Sequence, residues 1–265
     1  MSQTITRPTL LAYNTVERVL RGDFFHTVDR DTLVTDLSSF PKSWDVNGIG
    51  TTNWYRRNGE TMISGNAGEP GIMWSDPEGD QPMEVIDLFH EAPSDSGGDL
   101  ISPSIHDQEG DVTFPFLAVA VGDPDSVAIF EKKSCDDVHA WLWRLFNNEN
   151  IGLAGLELSG TFTNVEYSTA FYLPLEGIDL SAGYKANGSL KTATRENGIW
   201  KMGGVFAANV TLQRMLSVEG LPAHLHGYET STRVGGHIIR MEAENIKVKI
   251  WPLKDLIMKI RNLDY

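Results

Sequence analysis

Apolar residues recur at helical spacing early in the chain. In TVERVLRGDFF, positions 15–25, Val16, Val19 and Leu20 fall on one side and Gly22 stands where a helix can stop. In DTLVTDLSSF, Leu33, Val34 and Leu37 do the same, so a second short helix is expected. From Asn47 to about Pro82 glycine recurs and the apolar runs become short and strand-like, with Gly59 placed to turn a hairpin. Positions 89–111 are polar, acidic and without usable period, which predicts a loop edged by His90 and His106. TFPFLAVAV, 113–121, reads as a buried strand. SCDDVHAWLWRLFNNEN reads as a helix, with Val138, Trp141, Leu142 and Leu145 on one face and Asp136 or Ser134 as cap.

From Gly152 the period shortens to two. LAGLELSGTFTNVEYSTAF alternates apolar and polar residues, and GSLKTATRENGIWKMGGVFAA suggests two strands meeting around Asn197-Gly198. TLQRMLSVEG, 211–220, predicts one more short helix. The terminal PLKDLIMKIRNLDY fits a helix or an edge element equally well. No repeat or low-complexity linker divides the chain, and a soft boundary near 122–135 gives an N-terminal subdomain, 1–130, and a C-terminal one, 131–265.

Composition narrows the function. With 265 residues, 41% apolar and 22% charged, the chain can bury a sizeable core. A formal net charge of −14 argues against nonspecific binding to nucleic acid or to an anionic membrane. A small anionic substrate stays open, because a bound metal inverts the local field. The lone Cys135 allows no internal disulfide, the first residues lack a secretory pattern, and no run is apolar enough to cross a bilayer; a cytoplasmic protein is expected. The glycosylation-type triplets at Asn187 and Asn209 are then coincidental.

The densest chemistry is HLHGYETSTRVGGH, 224–237. On a strand His224 and His226 share one face while Leu225 points to the other. Gly235 and Gly236 let the chain fold back, and a returning strand aims His237 at the first pair. Three imidazoles without thiolates match an open, catalytic zinc site rather than a structural one.

These residues also carry a family resemblance: His-x-His, ten residues to the third histidine, then a strand of the form I-I-x-x-E-x-E-N. The chain resembles the alpha-acetolactate decarboxylase family, which converts 2-acetolactate to acetoin and in which three such histidines hold zinc. TVERVLRGDFF, GIGT with Gly59-Glu60, Pro115-Phe116 and LSGTF at 158–162 find counterparts in family order. The resemblance implies an α/β (α+β) fold of two subdomains with mixed β-sheets, with the metal site in the C-terminal sheet region. It further implies Zn(2+) on His224, His226 and His237, a small-molecule substrate and a possible homodimer. Loss of CO2 from a 2-hydroxy-3-oxo acid leaves an electron pair held as an enediolate, which a Lewis-acidic metal favours. Glu60 matches the family's carboxylate and is the expected proton donor.

Two departures bear on the substrate. Where the family has a substrate-holding arginine before LSGTF, this chain has Glu157, and the family's downstream glutamate finds no counterpart before Tyr265. Alignment and strand alternation place both Glu60 and Glu157 on the metal's open side. The alternatives are a metal-dependent isomerase or cyclase of a different hydroxyketone, and a non-catalytic metal-binding module of the same fold. A cupin barrel, suggested by Gly220, His224, His226 and Glu229, fits the glutamate spacing and the early helices poorly.

Overall fold

The computed structural model describes residues 4–20, 27–54, 57–75, 83–86, 112–169, 191–217 and 221–259. Two sheets pack face to face, and the alternation of single strands shows why. In strand β1, Thr9–Tyr13, Leu10 and Ala12 face one way while Leu11 and Tyr13 face the other. A strand buried on both sides needs such an uninterrupted apolar run. In chain order β1 is followed by helix α1 (Val16–Leu20), strand β2 (Val28–Asp29), helix α2 (Arg30–Leu37), and strands β3 (Asp45–Trp54), β4 (Arg57–Asn66), β5 (Glu69–Ser75), β6 (Glu84–Ile86) and β7 (Thr113–Gly122). A 3-10 turn at Pro124–Ser126 leads to strand β8 (Ala128–Cys135), helix α3 (Val138–Asn148), and strands β9 (Leu153–Thr169) and β10 (Lys191–Ala207). Helix α4 (Val210–Leu216) then precedes strands β11 (Ala223–Glu229), β12 (Gly235–Pro252) and β13 (Asp255–Lys259).

Among the described residues the first sheet runs β13-β1-β7-β3-β4-β5-β6, with β2 also pairing with β7. It is mixed, because β13 lies parallel to β1 while the other pairings are antiparallel. The second sheet runs β11-β10-β9-β12-β8, antiparallel, and β11 also pairs with β12, so that β9 to β12 curl back on themselves.

Three apolar layers follow. Leu11, Tyr13, Leu117, Val119 and Val121 pack beneath Leu33 and Leu37 of α2. Leu10, Ala12, Phe116, Ala118 and Ala120 meet Val205, Ala207 and Trp251 of the second sheet. Leu156, Leu158, Phe162, Trp200 and Phe206 pack with Val138, Leu142 and Phe146 of α3. The middle layer is thin where the sheets approach at Gly155, since a Cβ there would lie 2.4 Å from that of Ala120. Asp137, rather than Asp136 or Ser134, caps α3, its carboxylate accepting from the Ala140 amide.

Other expectations change. Gly59 does not turn the hairpin: β3 and β4 pair out to Trp54 and Arg57, and Gly59 lies in the ladder opposite Thr52. Asn197-Gly198 does not separate two strands. β10 runs straight through: Asn197, at φ of 52°, drops out of the ladder between Glu196 and Gly198, and the register with β9 is the same on either side of it. The terminal segment resolves as the edge strand β13. The predicted loop at 89–111, with His90 and His106, lies outside the described residues, as does Gly220.

Candidate metal centre

The second sheet turns its polar row toward the first at one place. His224 and His226 point to the same side of β11, while Leu225 between them is fully buried in the α3 layer. His237 enters β12 directly opposite His226. Close approach of those strands depends on glycine: a Cβ on Gly235 would sit 1.9 Å from the Gly227 carbonyl oxygen. The three imidazoles are 5%, 1% and 8% exposed, and one ligand atom from each lies within 4.8 Å of the others.

Hydrogen bonds fix the tautomers of two of them. His224 Nδ1 donates to the Leu216 carbonyl at the end of α4, 2.7 Å away, and His226 Nδ1 donates to the Thr61 carbonyl on β4, 2.8 Å away. A carbonyl only accepts, so both Nδ1 atoms carry protons and both Nε2 atoms present lone pairs. Those Nε2 atoms stand 3.2 Å apart. Two lone pairs so placed repel unless a cation lies between them. Tetrahedral zinc with Zn–N bonds of about 2.0–2.1 Å sets neighbouring nitrogens about 3.3 Å apart. The donor set therefore fits a first-row metal, and the backbone carbonyls are the outer partners such ligands require.

Burial disfavours the charged imidazoles. His224 is pushed down to about 4, the bond to Leu216 opposing only part of the effect of burial. His226 and His237 are held well below the ordinary range by burial first and by the neighbouring histidines second. Neutral imidazole is the ligating form. Phe116 stacks on His224 with centroids 5.7 Å apart and planes 14° from parallel, which restrains the ring.

Glu60 reaches the cluster from the first sheet. Its Oε2 is 3.3 Å from His226 Nε2, and the residue is 7% exposed. Glu157 occupies the same sheet face as His226, two strands away through Gly203. Its carboxylate is bound instead by Lys249 at 2.8 Å and is 36% exposed. The structure thus brings Glu60 to the three histidines and turns Glu157 to Lys249. The supporting roles of Leu216 and Thr61 had no signal in the sequence, since every residue has a carbonyl. In the sequence Phe116 stands out only as part of the Pro115-Phe116 family landmark.

A family model described as alpha-acetolactate decarboxylase matches residues 101–264. The fold is similar to the crystal structure of alpha-acetolactate decarboxylase from Bacillus subtilis strain 168, with a TM-score of 0.65 at 14% identity over 97% of this chain and 90% of that one. It is also similar to a Staphylococcus aureus protein of unknown function described as similar to alpha-acetolactate decarboxylase, with a TM-score of 0.62 at 14% identity over 95% and 89% of the two chains. No curated protein matches the chain by sequence. The family model spans more than half of the sequence and takes in all three histidines, so the chain belongs to the alpha-acetolactate decarboxylase family.

Proposed function

We propose that this protein is a zinc-dependent carbon–carbon lyase acting on a chelating hydroxy-oxo substrate. One observation carries the reading: a buried carboxylate, Glu60, stands 3.3 Å from a nitrogen of a three-histidine cluster whose lone pairs converge. His224, His226 and His237 would hold the metal, which when bound supplies Lewis acidity to the oxygens of a hydroxyl and an adjacent carbonyl. The protein's own groups do the rest. The carbonyls of Leu216 and Thr61 keep two imidazoles in the ligating tautomer. When the carbon–carbon bond of a 2-hydroxy-3-oxo acid breaks, CO2 leaves and its electron pair passes into the neighbouring carbonyl as an enediolate. Glu60 then delivers a proton to carbon, and burial between the sheets keeps bulk water from competing.

The test is turnover of 2-acetolactate, followed as CO2 and acetoin, by zinc-loaded wild type and Glu60→Gln. The amide keeps the shape and loses the proton, so kcat should fall about 10²–10⁴-fold with zinc content unchanged. Wild-type activity in Glu60→Gln would remove Glu60 from the chemistry. A second reading, rearrangement of an uncharged hydroxyketone, is favoured by Glu157 standing where the family has an arginine. Products identified by NMR from both substrate types separate the two.

A further inference from the structure

Strand β9 brings one more polar side chain to the face of the histidines. Ser168 pairs with His237 across the ladder of β9 and β12, and His237 pairs in turn with His226 across β12 and β11. The preceding pair, Tyr167 with Ile238, points into the α3 layer. Successive residues of a strand alternate, so Ser168 stands on the side of the sheet that carries the imidazoles, next in the row to His237.

Ser168 is only 2% exposed. Among the described residues nothing bonds its hydroxyl, and the oxygen is not one of the polar atoms that the interior closes off. A hydroxyl left unspent at a nearly buried position calls for a partner, and the row places that partner beside the ligand cluster.

The lyase reading leaves one group of the substrate without a place. The hydroxyl and carbonyl oxygens of a 2-hydroxy-3-oxo acid go to the metal, and the carboxylate lies off it. Lys249, the cation on this face nearest in the ladder to Glu157, is taken by that glutamate at 2.8 Å, and Glu60 is itself an acceptor when ionised. A hydroxyl donates readily to an anionic oxygen, in a bond stronger than that between neutral groups.

We propose that Ser168 is a specificity-determining residue, its hydroxyl donating to the carboxylate of the chelated 2-hydroxy-3-oxo acid. The substrate class rests on the lyase reading above; the position of the hydroxyl does not.

Calorimetric titration of zinc-loaded protein tests this with two unreactive probes. One is 2,3-dihydroxy-2-methylbutanoate, which keeps all three oxygen-bearing groups and has no ketone to accept the electron pair; the other is butane-2,3-diol, which lacks the carboxylate. Ser168→Ala should weaken the acid about tenfold, leave the diol unchanged and leave zinc content unchanged. Ser168→Thr restores a hydroxyl on a residue that suits a strand, and should return most of the lost affinity. With 2-acetolactate, Ser168→Ala should raise KM about tenfold and change kcat less. If wild type binds the acid and turns over no 2-acetolactate, the lyase reading fails while the comparison of acid with diol still decides the role of Ser168. No saturable binding of the acid to wild type, an equal loss for acid and diol, or an acid affinity indifferent to Ser168→Ala would each overturn the proposal.

Discussion

Glu157 lies on the sheet face of the histidine cluster without reaching it. Its carboxylate shares a sheet face with His226 but is matched by Lys249 and open to solvent, so its repulsion of an anionic substrate is screened. Glu157→Gln removes the charge, keeps the size and frees Lys249 to attract a carboxylate. The variant should raise kcat/KM for 2-acetolactate about tenfold and leave a neutral hydroxyketone unaffected. A parallel change for both substrates would mean that the charge of Glu157 plays no part in selection. At this scale the histidines were legible because strand alternation is a local rule, and two residues apart on β11 means the same face. The Glu157–Lys249 pair was not, because its partners come from strands brought together only by the register of β9 with β12.

At the scale of elements, the histidine cluster hangs on a short helix. Asn209 caps α4 by accepting from the amides of Thr211 and Leu212, and the last residue of that helix, Leu216, holds His224 through its carbonyl. Asn209→Ala should therefore cost about 1 kcal/mol of stability and also weaken zinc binding about tenfold, in the range seen for lost outer partners. Competition with a chromogenic chelator measures this. Unchanged zinc affinity alongside the lower stability would show that α4 does not position His224. Helices α2 and α3 were foreseen from their period, and the hairpin of β11 and β12 from its glycines. The turn between β3 and β4 was misplaced onto Gly59, because a glycine can sit inside a ladder, here opposite Thr52, as well as at a bend. Asn197 misled for a related reason: its left-handed backbone is taken up inside β10 without a change of register.

At the scale of the whole molecule, the centre joins the two sheets. Three imidazoles come from the second, while Glu60 and the Thr61 carbonyl come from the first. With free zinc about a thousandfold above its Kd, occupancy adds about 4 kcal/mol to folding, so a chelator should lower Tm by about 10 °C in a chain of this size. Coincident melting curves with and without chelator would mean that zinc does not tie the sheets. The pH dependence has a definite sign. His224 titrates near 4 when folded against about 6.5 unfolded, so the unfolded chain takes up the proton first. Stability from this residue is complete above about pH 6.5 and is lost as pH falls toward 4, amounting to about 3 kcal/mol. His226 and His237 shift in the same direction and add to the loss. Denaturant titrations of zinc-free protein between pH 7 and 4 should show a steady decline, and a flat profile would contradict neutral buried imidazoles.

Strand β13 lies parallel to β1 and matches Thr9 with Asp255. The polypeptide therefore leaves its first sheet, builds the whole of the second, and comes back to lay down one more strand beside the earliest. In topological terms the second sheet is an insertion into the first. During synthesis β1 waits, with one edge unsatisfied, until β13 has emerged, and closing so distant a pair is slow. Once made, that pair closes a loop that contains the whole of the second sheet.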